Sequence, residues 1–434
     1  MKKFDGSCGS RCDKARERGK TSAETGGSVA VAPENTAQQL EAEVRRFKEQ
    51  SGRPVIGYLC CFAPPEIIAA AGAIPFRILG RPGEDNSAAD AYVEPYGCTY
   101  VRNILSRAAN GNLDFMDGLV ISHSCDMVQR LYGIWTYYHP FDYSYLFNVP
   151  HQVSPPSQRF FKRELAFFQE SLEKFTGVEV TDGKLRRAIE AYNRNRSLVR
   201  ELYRLREPGV RPGKGPGIKG SEVLELLMAG GALPEDHYYL LLESALADYR
   251  NRSKNGGTED VDDQTEVGAE ESRPASQGGL SGEPTGGSRR PRVLVWGSII
   301  DDPAFYRMIE NAGADVVADD TCVGFRTWDQ DVPLADDLYE GLKDHYLLNF
   351  QCPRTDRGPG TARFDYILQR ARAYEVDGVI GYTISFCDPH KFDYPDLRDY
   401  LKAEGLPMLL IDDNYSFEPS GAIETRLQAF IEML

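Results

Sequence analysis

The chain has 434 residues, with 50 Lys and Arg against 65 Asp and Glu for a net charge of −15. That length favours two or three domains over one, and the 41% hydrophobic share allows an ordinary buried core. No basic patch points to nucleic acid, and no apolar run reaches the roughly 18 residues of a membrane span. No apolar core follows Met1-Lys2-Lys3 to make a secretory leader, so a soluble cytoplasmic protein is expected.

Residues 1–35 are rich in Gly, Ser, Lys and Glu without periodicity and read as a disordered tail. Cys8 and Cys12 lie there with no core to orient them. An N-terminal α/β lobe is expected over 36–156. It begins with a helix over 38–50 and a strand over 54–59, which ends at Cys60 and Cys61. Pro64-Pro65-Glu66 opens a helix, since Pro fits the first helical turn. That helix ends near Gly72, and a second strand covers 74–79. Cys98, in YGCTYVRN, falls in a turn before a helix. A third strand, within DGLVISHSCD, delivers Cys125.

A helical segment follows over 157–250, with a Pro/Gly-rich break at 208–217. Residues 251–290 are too polar to bury anything and read as a disordered insertion. A second α/β lobe is expected over 291–434. Its opening, PRVLVWGSIIDDPAFYRMIENAGADVVADDTC, repeats the first lobe's order of strand, Pro turn, helix and strand. Ala71-Gly72-Ala73 matches Ala312-Gly313-Ala314, each Gly placed to end a helix. DGVIGYTISFCD, from Asp377 to Asp388, matches DGLVISHSCD, from Asp117 to Asp126. The fold class is therefore α/β: two Rossmann-like parallel-sheet lobes related by internal duplication, with the helical segment between them.

Ligands of such sheets bind beyond the carboxyl ends of the strands, where Cys60, Cys125 and Cys387 are placed. Nine cysteines in a large cytosolic chain suggest metal or redox chemistry rather than a disulfide scaffold. Zinc usually takes paired C-x2-C or H-x3-H ligands, and no C-x2-C occurs here. Single cysteines converging from separate strand ends suit an iron–sulfur cluster between two domains. His123 and His390 flank Cys125 and Cys387 and are candidate proton donors. Arg102 is a candidate for offsetting cluster charge or binding an anion, Glu66 for favouring a helix N-terminus, and Asp126 and Asp388 for capping the helices that follow each cysteine. GPGIKG, Gly215–Gly220, follows no strand and is rejected as a dinucleotide loop. With no phosphate loop either, no nucleotide is expected to bind this chain.

GYLCCFAPPEIIAAAGAIPFRI, YGCTYVRNIL, DGLVISHSCD, ISFCDPHKFDYPDLRDYLKAEGLPMLLID and TRLQAFIEML together resemble the 2-hydroxyacyl-CoA dehydratase and benzoyl-CoA reductase superfamily. The resemblance implies two Rossmann-like lobes with a cluster between them and shared ligands at Cys98, Cys125 and Cys387. Its dehydratase branch carries one 4Fe–4S cubane on three cysteines. Its double-cubane branch joins two cubanes through a sulfide and needs six. Cys60 (or Cys61), Cys98, Cys125, Cys322, Cys352 and Cys387 supply six, so this chain resembles the double-cubane reductases. Adjacent side chains of an extended segment point opposite ways, so one of Cys60 and Cys61 is expected to ligate, and Cys60 is chosen. The resemblance further implies a homodimer, a separate ATP-hydrolysing iron–sulfur activase as electron donor, and a small-molecule substrate. The alternatives are a single-cluster 2-hydroxyacyl-CoA dehydratase subunit and a non-catalytic electron carrier.

Overall fold

The computed structural model describes residues 36–210, 216–254 and 289–434. The tail with Cys8 and Cys12, and all but the ends of the 251–290 insertion, lie outside the described residues. The first lobe runs α1 (Thr36–Ser51), β1 (Val55–Leu59), α2 (Pro65–Ala70), β2 (Ile74–Arg77), α3 (Thr99–Ala109), β3 (Gly118–Ser122), α4 (Asp126–Tyr138) and β4 (Tyr143–Phe147). Four helices follow: α5 (Pro155–Thr176), α6 (Asp182–Arg204), α7 (Gly220–Gly230) and α8 (Glu235–Lys254). The second lobe runs β5 (Arg292–Gly297), α9 (Ala304–Asn311), β6 (Asp315–Asp320), α10 (Leu338–Lys343), α11 (Ala362–Ala373), β7 (Gly378–Ile384), α12 (Asp388–Ala403), β8 (Met408–Asp413) and α13 (Gly421–Glu432).

Each lobe holds a four-stranded, all-parallel sheet, ordered β2-β1-β3-β4 in the first and β6-β5-β7-β8 in the second. The orders are identical, as a duplication requires. β1, β3 and β7 are buried at every position, which is why they read as unbroken apolar runs rather than alternating ones. The repeated Asp-Gly pair has a structural duty. Asp117 accepts the Val55 N–H at 2.8 Å, and Asp377 accepts the Arg292 N–H at 2.8 Å. Each carboxylate thus pins the start of its lobe's first strand to the start of the third. Gly72 and Gly313 take left-handed φ of 79° and 104° where the chain leaves α2 and α9, the conformation Gly adopts at least cost.

One apolar core runs through both lobes, from Leu40 in α1 to Ile431 in α13. The helices α5 and α6 pack Phe161, Leu165, Phe168 and Ile189 onto the other face of the first sheet. Glu66, in the first turn of α2, lies wholly buried. It accepts from Arg196 of α6 at 2.5 Å and from the Tyr346 hydroxyl at 2.8 Å. Its duty here is therefore a buried ion pair that ties the helical segment to the first lobe. α7 starts at Gly220, and among the described residues no strand leads into it. Among the described residues no helix is long and apolar enough to cross a membrane.

Candidate metal centre

The carboxyl ends of the two sheets face a shared cavity of about 120 Å³. Cys60, Cys98, Cys125, Cys322, Cys352 and Cys387 all line it. Cys60, Cys98 and Cys125 come from the first lobe; Cys322, Cys352 and Cys387 come from the second.

Three of the six sit at helix N-termini. Cys98 is the N-cap of α3, Cys125 of α4 and Cys387 of α12. The caps expected at Asp126 and Asp388 fall one residue earlier, because a chain turning from strand to helix leaves the cysteine in the non-helical position. Backbone N–H groups are then free to reach the sulfurs. Tyr100 and Val101 aim theirs at Cys98, Val128 at Cys125 and His390 at Cys387. Such donors, with the positive helix end, favour an anionic sulfur. Cys352 follows a π-helical turn, Asp344–Asn349, that continues α10, an irregularity common near functional sites.

Cys60 sits at φ 73°, in the left-handed region. The chain is therefore not extended there, and Cys60 and Cys61 do not diverge. Their sulfurs lie 3.9 Å apart, part-buried together. The Cys61 thiol donates toward Cys322 and Cys60, which holds Cys61 well above the usual thiol range. The same contact draws Cys60 down to about 6 and pulls Cys322 down. Cys61 lies just behind the cavity wall, while Cys60 lines it.

Burial pushes the other thiols up, Cys125 to about 12 and Cys352 to about 11, with Cys98 and Cys387 also raised. These four thiols in an apolar cavity stay protonated unless positive charge stands beside them. Arginines supply part of that charge. The Arg77 guanidinium hydrogen-bonds the Cys322 carbonyl at 2.7 Å. Arg354 donates to the carbonyls of His123, Ser124, Val149 and Pro150, at 2.6–3.0 Å. Both are buried and line the cavity, and among the described residues neither has a carboxylate partner. Arg326 reaches to 3.9 Å from the Cys322 sulfur but is held by Asp320 at 2.7 Å. Two buried cations without counter-ions require negative charge nearby, and an anionic cluster on thiolates meets that requirement.

Among the described residues, no three His, Cys, Asp or Glu side chains close on one point as a single-ion site demands. Six thiols lining one cavity are the donor type that an iron–sulfur cluster would take. His390 also lines the cavity, its Nδ1 3.5 Å from the Cys387 sulfur. Burial holds its imidazole well below the ordinary range, hence neutral. His123 stands outside the lining residues, its ring 5.3 Å from that of His151. Arg102 pairs with Asp90 and does not line the cavity.

The family profile described as "2-hydroxyglutaryl-CoA dehydratase, D-component" matches residues 60–434. The chain belongs to that family. A benzoyl-CoA reductase subunit of Thauera aromatica is 28% identical over 377 residues, covering 84% of this chain and 87% of that protein. The (R)-phenyllactyl-CoA dehydratase beta subunit of Clostridium sporogenes is 25% identical, covering 90% and 94%. The beta subunit of (R)-2-hydroxyglutaryl-CoA dehydratase from Acidaminococcus fermentans is 24% identical, covering 90% and 94%. The matching relatives thus include both reductase and dehydratase subunits.

The sequence did not single out Arg77 or Arg354. The signal was there: an Arg inside the apolar strand IPFRI, and one two residues after Cys352 in CPR. Cations in such settings are rarely buried without a charge to meet.

Proposed function

We propose that this protein is a low-potential iron–sulfur oxidoreductase that holds a double-cubane cluster on Cys60, Cys98, Cys125, Cys322, Cys352 and Cys387. The observation that carries the reading is the lining of one inter-lobe cavity by six thiols, three from each lobe, with two uncompensated guanidiniums. A cluster bound there supplies storage and transfer of low-potential electrons. The chain's own groups set the conditions. Helix N-termini and backbone N–H groups meet the sulfurs of Cys98, Cys125 and Cys387, Arg77 and Arg354 offset negative charge, and the apolar wall excludes water. His390 lies beside Cys387 and is the candidate proton donor to a bound substrate, a role that requires it first to take up a proton, because its neutral ring offers only a hydrogen bond. Of His123 and His390, it alone lines the cavity.

Under this reading a separate ATP-hydrolysing iron–sulfur activase delivers the electron, the substrate is a small molecule, and the protein works as a cytoplasmic homodimer. A second reading has support in the dehydratase beta subunits among the relatives: one 4Fe–4S cubane on Cys98, Cys125 and Cys387, in a 2-hydroxyacyl-CoA dehydratase subunit. A cluster-bearing electron carrier without turnover is the third. Anaerobic iron and sulfide analysis separates them. Two cubanes give about eight irons per chain and one gives about four. About four irons would remove the six-ligand reading. About eight irons with no reduction of any small molecule, activase and ATP supplied, would leave the carrier.

A further inference from the structure

A second pocket, of about 510 Å³, opens beside the thiol cavity and shares Val101, Asp126, Met127, Phe386 and Asp388 with it. Its volume lies within the usual range for small-molecule sites. The outer wall is aromatic and aliphatic, with Tyr92, Tyr96, Leu131 and Ile134. Its charged groups are Glu94, Asp126, Arg130 and Asp388. Arg130 is paired with Asp126 at 2.7 Å. Among the described residues, Glu94 and Asp388 have no cationic partner, and both are exposed. The pocket therefore meets a visitor with an apolar wall and two unpaired negative charges.

Phe386 stands where the two spaces meet. It takes a left-handed φ of 67° and is 48% exposed. That conformation is a real outlier for a bulky residue, and such outliers gather at ligand sites. It falls in the stretch by which DGVIGYTISFCD exceeds DGLVISHSCD by two residues. The second lobe's extra length thus places an aromatic ring between the pocket and the thiols.

Building on the reductase reading, we propose that this pocket is the substrate chamber and that it selects compact neutral or cationic molecules with an apolar body, rejecting carboxylates and the polyanionic thioesters of coenzyme A. Phe386 is the wall against which the apolar part rests, and Glu94 and Asp388 set the charge preference. Electrostatic complementarity of this kind discriminates by sign more than it adds affinity.

The test uses the anaerobically purified full chain, its iron counted on the same sample. Benzylamine, benzyl alcohol and benzoate share one body and differ in charge; their binding is measured by calorimetry. Benzylamine is expected to bind about tenfold more tightly than benzoate, with benzyl alcohol between. Glu94→Gln with Asp388→Asn should collapse that ratio to about twofold or less. Phe386→Ala should weaken all three alike. Benzoate binding as well as benzylamine, no binding of any probe, or a ratio unmoved by the double variant would each overturn the proposal. A charge preference retained on protein with no iron would sink the reductase reading and leave the chamber standing.

Discussion

The two sheets share one order, yet they deliver their first thiols from different strands. Registered through β3 and β7, Ile56 opposes Gly118 as Val293 opposes Gly378. Counting on four residues, Cys60 of the first lobe corresponds to Gly297 of the second. On the neighbouring strand, Tyr58 opposes Arg77 as Val295 opposes Asp319. Three residues further, Cys322 of the second lobe corresponds to Gly80 of the first. Each lobe thus has a thiol where its twin has a glycine, and both glycines are crowded by tyrosine. A Cβ at Gly297 would stand 2.0 Å from the Tyr382 carbonyl oxygen, and one at Gly80 would stand 2.0 Å from the Tyr415 hydroxyl. Cys125 and Cys387, each after its third strand and at a helix N-cap, keep the same residue in both copies. Duplication supplied the frame and one matched pair, while Cys60 and Cys322 are each particular to one lobe.

Replacing a cysteine of each kind breaks or sharpens that contrast. Cys125→Ala or Cys387→Ala removes a ligand common to the one-cubane and two-cubane readings, and nearly all iron should be lost. Cys322→Ala and Cys352→Ala remove thiols needed only by the larger cluster. Iron should fall by half or more, to about four per chain at most. Full iron in both of these variants, measured anaerobically against wild type, would confine the centre to Cys98, Cys125 and Cys387. The contrast between the two kinds of variant is the largest effect expected.

The glycine side of the comparison is tested by Gly297→Ala. Its Cβ meets a backbone carbonyl of the adjacent strand, and neither strand can yield without breaking ladder hydrogen bonds. The cost should be about 3 kcal/mol or more in denaturant unfolding. A loss under about 1 kcal/mol would mean that the second lobe could have carried a thiol at this place and that packing did not decide the asymmetry.

Much of this was legible beforehand, for identifiable reasons. The parallel strands are buried on both faces, so they appear as apolar runs, and Asp-Gly and Ala-Gly-Ala recur because each pins a strand or ends a helix. The cysteines that follow those runs, Cys60, Cys125 and Cys387, accordingly stand just beyond strand ends. What escaped depended on backbone detail or on tertiary partners. The left-handed turn at Cys60 brings Cys61 against Cys322, where an extended segment would have separated the pair. Arg77 and Arg354 find their role only when residues hundreds of positions apart meet at the cavity. Glu66 read as a helix-start residue because Arg196 lies 130 positions away.

The smallest effect concerns what fills the first lobe at the position equivalent to Cys322. There the Gly80 N–H donates to Asp301 at 2.8 Å, and the Tyr415 hydroxyl donates to both Asp301 carboxylate oxygens, at 2.6 and 2.7 Å. Asp301 is buried without a cation, and desolvation raises its carboxyl to about 6 against an ordinary 3.8. Below the unfolded value the group is protonated in both states and costs nothing. Between roughly pH 4 and 6 the unfolded chain ionises while the folded carboxyl resists, so stability is lost as pH rises, and above that window the loss is constant. A shift of about two units corresponds to about 3 kcal/mol. Asp301→Asn keeps a neutral amide in the same place and cannot titrate. The stability of wild type minus that of the variant should therefore decline by up to about 3 kcal/mol from pH 4 to pH 6 and level off beyond. Denaturant midpoints followed by tryptophan fluorescence at several pH values measure it. A difference that stayed flat, or rose, across that window would show that the carboxylate is ionised at no cost, and that the seam between Gly80 and Tyr415 tolerates a buried charge.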